Sequence, residues 1–457
     1  MKAAKQWFEL QQWKPHAFQK ETWRQIAAGH SGLLNAPTGY GKTFAIWFGV
    51  IQHFLDLNKK SLGLHCLWIT PLRALSKEID KATNQVSSDL NLSYTIGLRT
   101  GDTSAKQRAQ QKKKLPNGLI TTPESVHIML ASKGYADTFK SLEFVIIDEW
   151  HELLGTKRGV QVELALSRLK ALNPNLKVWG ISATIGNMEE AKDILLGKNS
   201  SDSVMVKANV KKKILIETVL PDVLEKFPWA GHLGLKLVDK VLPIIYANRS
   251  TLIFTNTRFQ AETWYRQLLV SDPDLAGQIA LHHGSLGEET RKWVEEALHE
   301  GKLKAVVCTS SLDLGVDFRP VDTVIQIGSP KGVARFIQRA GRSGHQPGAS
   351  SRIYFVPTHS LEIIEGSAMR YAVENKKMES RVPNIRSFDV LIQYLVTLAV
   401  SDGFLPDVIY KEIIQTHCFE SVSEEEFNWC LQFITQGGKS LRAYDEFHKV
   451  VIEDGVY

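Results

Sequence analysis

Asn35 to Thr43, NAPTGYGKT, follows the apolar Leu33-Leu34 and precedes the helix-compatible FAIWFGVIQHFL. Strand, loop, helix is the context that a phosphate-binding loop requires. Gly39 and Gly41 allow a tight turn whose backbone N–H groups face phosphates, and the helix that follows presents its positive end to them. In such a loop Lys42 reaches the β- and γ-phosphates and Thr43 holds Mg²⁺. Ala36 stands where the pattern G-x-x-x-x-G-K-[ST] has its first glycine. The loop therefore needs a second half of a site elsewhere in the chain to distinguish it from a chance GKT.

The chain has 457 residues, and at ~150 residues per domain this suggests about three domains. With 23% charged and 43% hydrophobic residues, the composition is that of an ordinary globular protein. A net charge of +6 is compatible with a polyanionic partner. No apolar run approaches the ~18 residues of a membrane span. Met1 to Leu10, MKAAKQWFEL, lacks the apolar core of a signal peptide, so a cytoplasmic protein without a membrane partner is expected. Cys66 and Cys308 lie in apolar runs, LHCLWIT and AVVCTS, and read as buried thiols. Cys418 and Cys430 lack metal-type spacing.

Upstream of the loop, Trp13 to Gln19, WKPHAFQ, ends a polar N-terminal segment. The Gln19 amide can both donate to and accept from an adenine edge. Downstream, LGLHCLWIT leads into TPLRAL, where Thr70 reads as a helix N-cap with Pro71 in the first turn. The same pattern returns in GLITTPESV at Thr122-Pro123-Glu124. Two helix N-termini at strand ends suit phosphate contact without base reading, although simple capping explains each alone. Between them, Lys106, Arg108 and Lys112 to Lys114 form either a backbone groove or a solvated helix face.

In EFVIIDEWHELLGTKRG, Glu143 to Ile147 read as a buried strand that places Asp148 and Glu149 at its carboxyl end, where parallel sheets bind ligands. There Asp148 can hold Mg²⁺ and Glu149 can polarise an attacking water. VWGISATIG puts Ser182 and Thr184 at another strand end. From Asp202 to Lys213, DSVMVKANVKKK, the pattern loosens into an inter-domain linker. Strand-like runs then restart in RSTLIFTNTR, IALHHGS and KAVVCTSSLDLGVD, the sign of a second α/β domain. It closes on VARFIQRAGRSGH, where Arg335, Arg339 and Arg342 recur at intervals of four and three along a helix-like stretch. They form a solvated basic face or an arginine set offered across a cleft. An arginine at a γ-phosphate is worth ~10³ to 10⁵ in phosphoryl-transfer rate.

Taken in order, APTGYGKT, TPLRAL, TTPES, DEWH, SAT, FTNTR, TSSLDLGVD and QRAGRSGH resemble the motifs of a superfamily 2 helicase over about Gln19 to His345. DEWHELLGTKRGVQ, LHHGSLGEETRKWVEEAL and IGSPKGVARFIQRAGRSGH are most similar to the Lhr group of DEXH-box DNA helicases, in its bacterial ligase-associated DNA-repair branch. The resemblance implies an α/β fold of two tandem RecA-like parallel-sheet domains, 1–207 and 208–373, followed by a winged-helix domain, 374–457. It implies ATP and Mg²⁺ as cofactors and 3′-to-5′ movement on single-stranded DNA, with unwinding of DNA or RNA–DNA duplexes. An ATP-dependent DNA ligase and a metallophosphoesterase are the implied protein partners.

Residue by residue, the resemblance makes Gln19 the adenine contact, with Thr38, Gly39, Gly41, Lys42 and Thr43 around the phosphates. Asp148 and Glu149 become the Mg²⁺ and water residues, and His151, Ser182 and Thr184 couple nucleotide to nucleic acid. Across the cleft, Gly315 and Asp317 approach the nucleotide, and Arg342 is the main arginine finger with Gln338 and Arg339 in support. His345 replaces the third arginine of many relatives outside the Lhr group. Thr70, Arg73, Thr122, Thr255, Arg258 and Thr309 match positions that hold the DNA backbone.

Beyond the second domain, IRSFDVLIQYLVTLAV, VIYKEIIQTH and EEEFNWCLQFI read as helices and AYDEFHKVVIEDGVY as a β-hairpin around Asp454-Gly455. Only Val456 and Tyr457 return from that turn, so an unpaired edge and a longer natural chain are expected. Two functions stay in view: an ATP-dependent DNA motor, and an ATP-switched nucleic-acid clamp or RNA remodelling protein without processive unwinding.

Overall fold

The computed structural model describes all residues except 38, 58–62, 198–202, 210–212, 222–233, 314–320, 345–349 and 438–447. The first parallel sheet is built from β1 (Ser31–Asn35), β2 (Cys66–Ile69), β3 (Ile96–Arg99), β4 (Gly118–Thr121), β5 (Phe144–Ile147), β6 (Lys177–Ser182) and β7 (Ser203–Lys207). Their order across the sheet is β3-β4-β2-β5-β6-β1-β7. Central strands such as FVII and CLWI are buried at every residue, as expected where helices cover both faces of a parallel sheet. β1 lies between β6 and β7, and β5 between β2 and β6. The phosphate loop, Asp148-Glu149 and Ser182-Thr184 thus emerge side by side from the carboxyl ends of three adjacent strands.

The second sheet contains β8 (Ile214–Thr218), β9 (Thr251–Phe254), β10 (Ile279–His282), β11 (Ala305–Cys308), β12 (Thr323–Ile327) and β13 (Ser351–Val356), in the order β10-β11-β9-β12-β13-β8. Its two faces carry separate apolar layers, one centred on Phe254, Phe336 and Phe355 and the other on Trp264 and Ile325. Helices Phe388–Val400, Pro406–Ile413 and Glu424–Gln436 form the third unit. Leu391, Tyr394, Leu395 and Phe419 of that unit join Val126, Leu130, Leu164 and Leu166 of the first domain in one continuous core.

Several readings from sequence need correction. Lys2–Leu10 is a helix, and Ala3, Ala4, Trp7 and Phe8 bury its apolar side; the Trp7 indole N–H donates to Asp89 at 2.8 Å. It is therefore part of the first domain's core rather than a polar lead-in. Part of the supposed linker, Ser203–Lys207, is the edge strand β7 paired with β1. Thr70 is no N-cap: its N–H donates to the Thr121 carbonyl at 2.9 Å, which prolongs the sheet, and the helix begins only at Arg73 after Leu72. Thr122 does precede a helix with proline at its start, Pro123–Leu130.

At the end of the chain Asp454 and Gly455 take φ of 52° and 81°, the pair of positive values a two-residue hairpin turn demands, and Glu453 bridges Val456. Ala443 to Phe447 lie outside the described residues. Tyr457 is not on an open edge, because it exchanges backbone hydrogen bonds of 3.0 and 3.1 Å with Phe404.

Candidate nucleotide site and nucleic-acid contacts

The phosphate loop leaves β1 and enters helix Lys42–Asp56 through Gly39 and Gly41, at φ of 84° and 72°. Those values are accessible to glycine at little cost. Gln19 braces this turn, since its Nε2 donates to the Gly41 carbonyl at 3.1 Å and its Oε1 accepts from the His16 N–H at 2.8 Å. The remaining amide N–H and lone pair are what it has left for a base edge. Thr38 lies outside the described residues, and Thr43 is half-buried in the first turn of the helix.

Asp148 and Glu149 follow β5 directly, and Glu149 is held in the left-handed region at φ 46°, a conformation that few non-glycine residues adopt. The buried Lys42 ammonium donates to Glu149 Oε1 at 3.3 Å. Asp148 accepts from the Glu149 N–H at 2.8 Å and from the Trp68 indole at 3.3 Å. Burial, reinforced by the charge of Glu149, pushes the Asp148 carboxyl up to about 7. Burial acts on Glu149 in the same sense, but Lys42, His151 and Arg342 outweigh it and hold that carboxyl below its ordinary range. Glu149 Oε2 is buried and, among the described residues, receives no hydrogen bond.

His151 joins this acid pair to the next strand end. The Ala183 N–H donates to His151 Nδ1 at 3.1 Å, and burial lowers the imidazole pKa against the opposing charges of Glu149 and Glu152. Nδ1 is therefore an acceptor, and the neutral ring carries its proton on Nε2. Asn35, at the end of β1, donates to the Ser182 carbonyl and to Thr184 Oγ1, each at 3.3 Å. Its side chain ties the start of the phosphate loop to Ser182-Thr184, a role with no signal in the sequence beyond its place before the loop.

From the second domain, helix Val333–Ala340 and the turn after it face the same cleft. Arg342 donates to the Asp313 carbonyl at 2.7 Å, and its partly desolvated guanidinium, lowered by burial, feels the opposing charges of Glu78, Asp313 and Glu149. Gln338 is buried, its Nε2 has no hydrogen-bond partner among the described residues, and it lines an inter-domain cavity of about 190 Å³ with Leu72, Glu152, Asp313 and Arg335. Arg339 behaves differently. Its fork pairs with both oxygens of Asp313 at 2.7 and 3.1 Å and with Gln326 at 2.6 Å, and it stacks over Phe254. All of these partners belong to its own domain. Gly315, Asp317 and His345 lie outside the described residues.

The residues expected to hold a nucleic-acid backbone fall into two groups. Arg73 and Arg258 are exposed, each paired with one acid, Asp102 at 2.6 Å and Glu262 at 2.9 Å. Thr309 is half-buried, and Thr122 is buried with its hydroxyl 3.1 Å from Ser125. Thr70 and Thr255 are fully buried, and Thr255 spends its hydroxyl on the carbonyls of Thr257 and Cys308. Side-chain contact to a ligand is thus closed to those two. Lys106, Arg108 and Lys112 to Lys114 sit on or beside helix Ala105–Lys113, which buries none of its residues. Sequence reasoning missed Arg158, which grips both oxygens of Glu124 and the Pro71 carbonyl and so joins the two TP segments.

Two RecA-like sheets, a phosphate loop, an acid pair at the neighbouring strand end and an arginine from the opposite domain define a nucleotide-dependent helicase core. Matches to known families agree: residues 16–193 match the DEAD/DEAH box helicase family, 235–346 the helicase conserved C-terminal domain, and 371–457 the winged helix domain of the large helicase-related protein. Two helicase domains are thus followed by a winged helix of the Lhr type, and over this length the chain is similar to the Lhr group of helicases. It is 33% identical to the ATP-dependent helicase Lhr-Core of Sulfolobus acidocaldarius, covering 94% of this chain and 51% of that protein. With the Lhr helicase/uracil glycosylase of Escherichia coli it shares 30% identity over 95% of this chain and 32% of the relative. The structure of Mycobacterium smegmatis helicase Lhr bound to ssDNA and AMP-PNP superimposes with a TM-score of 0.82 at 30% identity, over 95% of this chain and 57% of that one. The chain spans about half the length of the Lhr-Core relatives. No described helix is long and apolar enough to cross a membrane.

Proposed function

We propose that the chain is an ATP-driven motor that moves 3′-to-5′ on single-stranded DNA and opens DNA or RNA–DNA duplexes during repair in the cytoplasm. The observation that carries this reading is the convergence of Lys42 and Glu149 from one domain with Arg342 from the other. Residues 1–207 and 208–373 would then be the two motor domains and 374–457 the winged helix that guides the strand. Glu149 Oε2, buried and free of hydrogen bonds from described groups, is the acceptor for a proton of the attacking water. Arg342 meets the charge that develops on the transferred phosphoryl group.

Mg²⁺ fits this donor set. Lys42 neutralises one of two adjacent buried carboxylates, and Asp148, pushed up to about 7 by burial and by its neighbour, is short of a cation. Asp148 and Thr43 would hold the ion, which when bound draws off phosphate charge. Binding of ssDNA by the Mycobacterium smegmatis relative supports the choice of strand. The ligase and metallophosphoesterase partners rest on the family resemblance alone.

ATP hydrolysis measured with single-stranded DNA and single-stranded RNA of equal length, followed by unwinding of 3′- and 5′-tailed duplexes, tests the proposal. DNA should stimulate more strongly, and only the 3′-tailed duplex should open. Stimulated hydrolysis with neither duplex opened would favour the ATP-switched clamp.

A further inference from the structure

At the end of the first sheet remote from the phosphate loop, three potential metal ligands meet. His65 immediately precedes β2 and Glu143 immediately precedes β5, and these strands are neighbours. His53 lies in the last turn of helix Lys42–Asp56. His53 Nδ1 is 3.4 Å from His65 Nε2 and 3.5 Å from Glu143 Oε2, and all three atoms lie within 4.8 Å of one another.

Proton bookkeeping around this cluster points to a cation. The Tyr94 hydroxyl donates to the Asn117 carbonyl at 3.1 Å and lies 3.3 Å from His65 Nδ1. A phenol, with an ordinary pKa of about 10, keeps its proton at neutral pH. Its oxygen must then accept the Nδ1 proton of His65, which leaves a lone pair on Nε2. The Glu143 carboxylate offers lone pairs only. His53 Nδ1 therefore faces two lone-pair donors while carrying at most one proton. Both separations exceed the ~2.7–3.2 Å of an ordinary N–H hydrogen bond. They match the ligand–ligand edge of about 3.3 Å that tetrahedral coordination at ~2.0–2.1 Å imposes. A second ring nitrogen engaged by a polar neighbour, as in His65–Tyr94, is the usual support of a ligating histidine.

We propose that His53, His65 and Glu143 form a site for one divalent transition-metal cation of the zinc class. Two imidazoles and one carboxylate favour such an ion over Mg²⁺. Eleven residues of helix separate His53 from Lys42, about 16 Å at 1.5 Å per residue, so the site is distinct from any ion carried by a nucleotide. Its ligands fasten together the far ends of the three elements whose other ends carry the phosphate loop, the strand end before Thr70, and Asp148-Glu149.

Chelator-treated, desalted protein titrated with Co²⁺ tests this. One equivalent should bind with a visible tetrahedral absorption band, Zn²⁺ should displace it, millimolar Mg²⁺ should not, and bound Zn²⁺ should raise Tm. Tyr94→Phe, which removes outer support, should weaken binding ~10- to 100-fold. His53→Ala and Glu143→Gln, which remove ligands, should weaken it further. Glu143→Gln conserves volume and carries the test should His53→Ala fail to fold. Absence of the band in the parent protein, or binding by Glu143→Gln equal to that of the parent, would overturn the site.

Discussion

Glu379 caps the helix that leads to Arg342: its Oε2 accepts from the Val333 N–H at 3.0 Å, and both carboxylate oxygens lie 3.2 Å from the Ala334 nitrogen. A negative charge at a helix N-terminus is favourable. The Glu379 carbonyl at the same time accepts from the Gly186 N–H at 2.9 Å. Two residues on, Arg381 and Asn187 exchange hydrogen bonds of 2.8 Å each. One short segment thus joins the loop after Ser182-Thr184 in the first domain to the arginine-bearing helix of the second.

If that segment sets the position of Arg342, Glu379→Ala should lower kcat by about 10- to 100-fold, the cost of a misplacement near 1 Å. KM for ATP should change little. Steady-state kinetics decide it, and an unchanged kcat would mean the cap serves only the helix.

Lys42 and Glu149 share a hydrogen bond but should fail differently. Lys42→Ala should weaken nucleotide binding, whereas Glu149→Gln should bind nucleotide and hardly turn it over, the pattern expected when only transition-state stabilisation is lost. Fluorescent-nucleotide titration alongside single-turnover hydrolysis separates the two. Substantial turnover by Glu149→Gln would remove it from the water-activating role.

The legible parts of the site were those whose chemistry is local. Glycine, lysine and threonine in the phosphate loop, and two acids after an apolar strand, announce themselves by neighbours in sequence. The two edge strands of the first sheet were not legible: β3 has one buried residue in four, so it lacks the apolar run that marks β2 or β5, and β7 ends in an exposed lysine. Spacing placed Arg335, Arg339 and Arg342 together but could not reveal that Asp313, Gln326 and Phe254 would enclose one of them. Glu379 and the His53, His65 and Glu143 cluster depend on tertiary contacts between separate elements, for which periodicity holds no information.

Arg339 and Arg342 should separate stability from catalysis. Arg339→Ala leaves Asp313 buried without its bidentate partner, a loss of about 3–5 kcal/mol for a buried pair, and should lower the melting temperature of the second domain. Arg342→Ala should leave melting nearly unchanged and reduce kcat far more than nucleotide affinity. Scanning calorimetry with ATPase assays on both variants tests this, and equal losses of kcat without a difference in Tm would refute the division.

Glu163 should make stability depend on pH. It lies in helix Lys157–Leu172, and its Oε2 accepts from the Cys418 N–H at 3.0 Å, across the contact with the winged helix. Burial pushes its carboxyl from 4.5 up to about 8, against the opposing pull of the Cys418 and His417 N–H groups. A folded-state pKa above the unfolded value means that the neutral acid stabilises the fold. Its contribution is complete below about 4.5 and is lost as pH rises through about 8. The slope within that window is at most about 1.4 kcal/mol per pH unit. Glu163→Gln, neutral throughout and still able to accept from Cys418, should flatten that slope and exceed the parent in stability above about pH 8. Urea unfolding of both proteins across the window gives the answer, and parallel slopes would show that Glu163 does not titrate with folding.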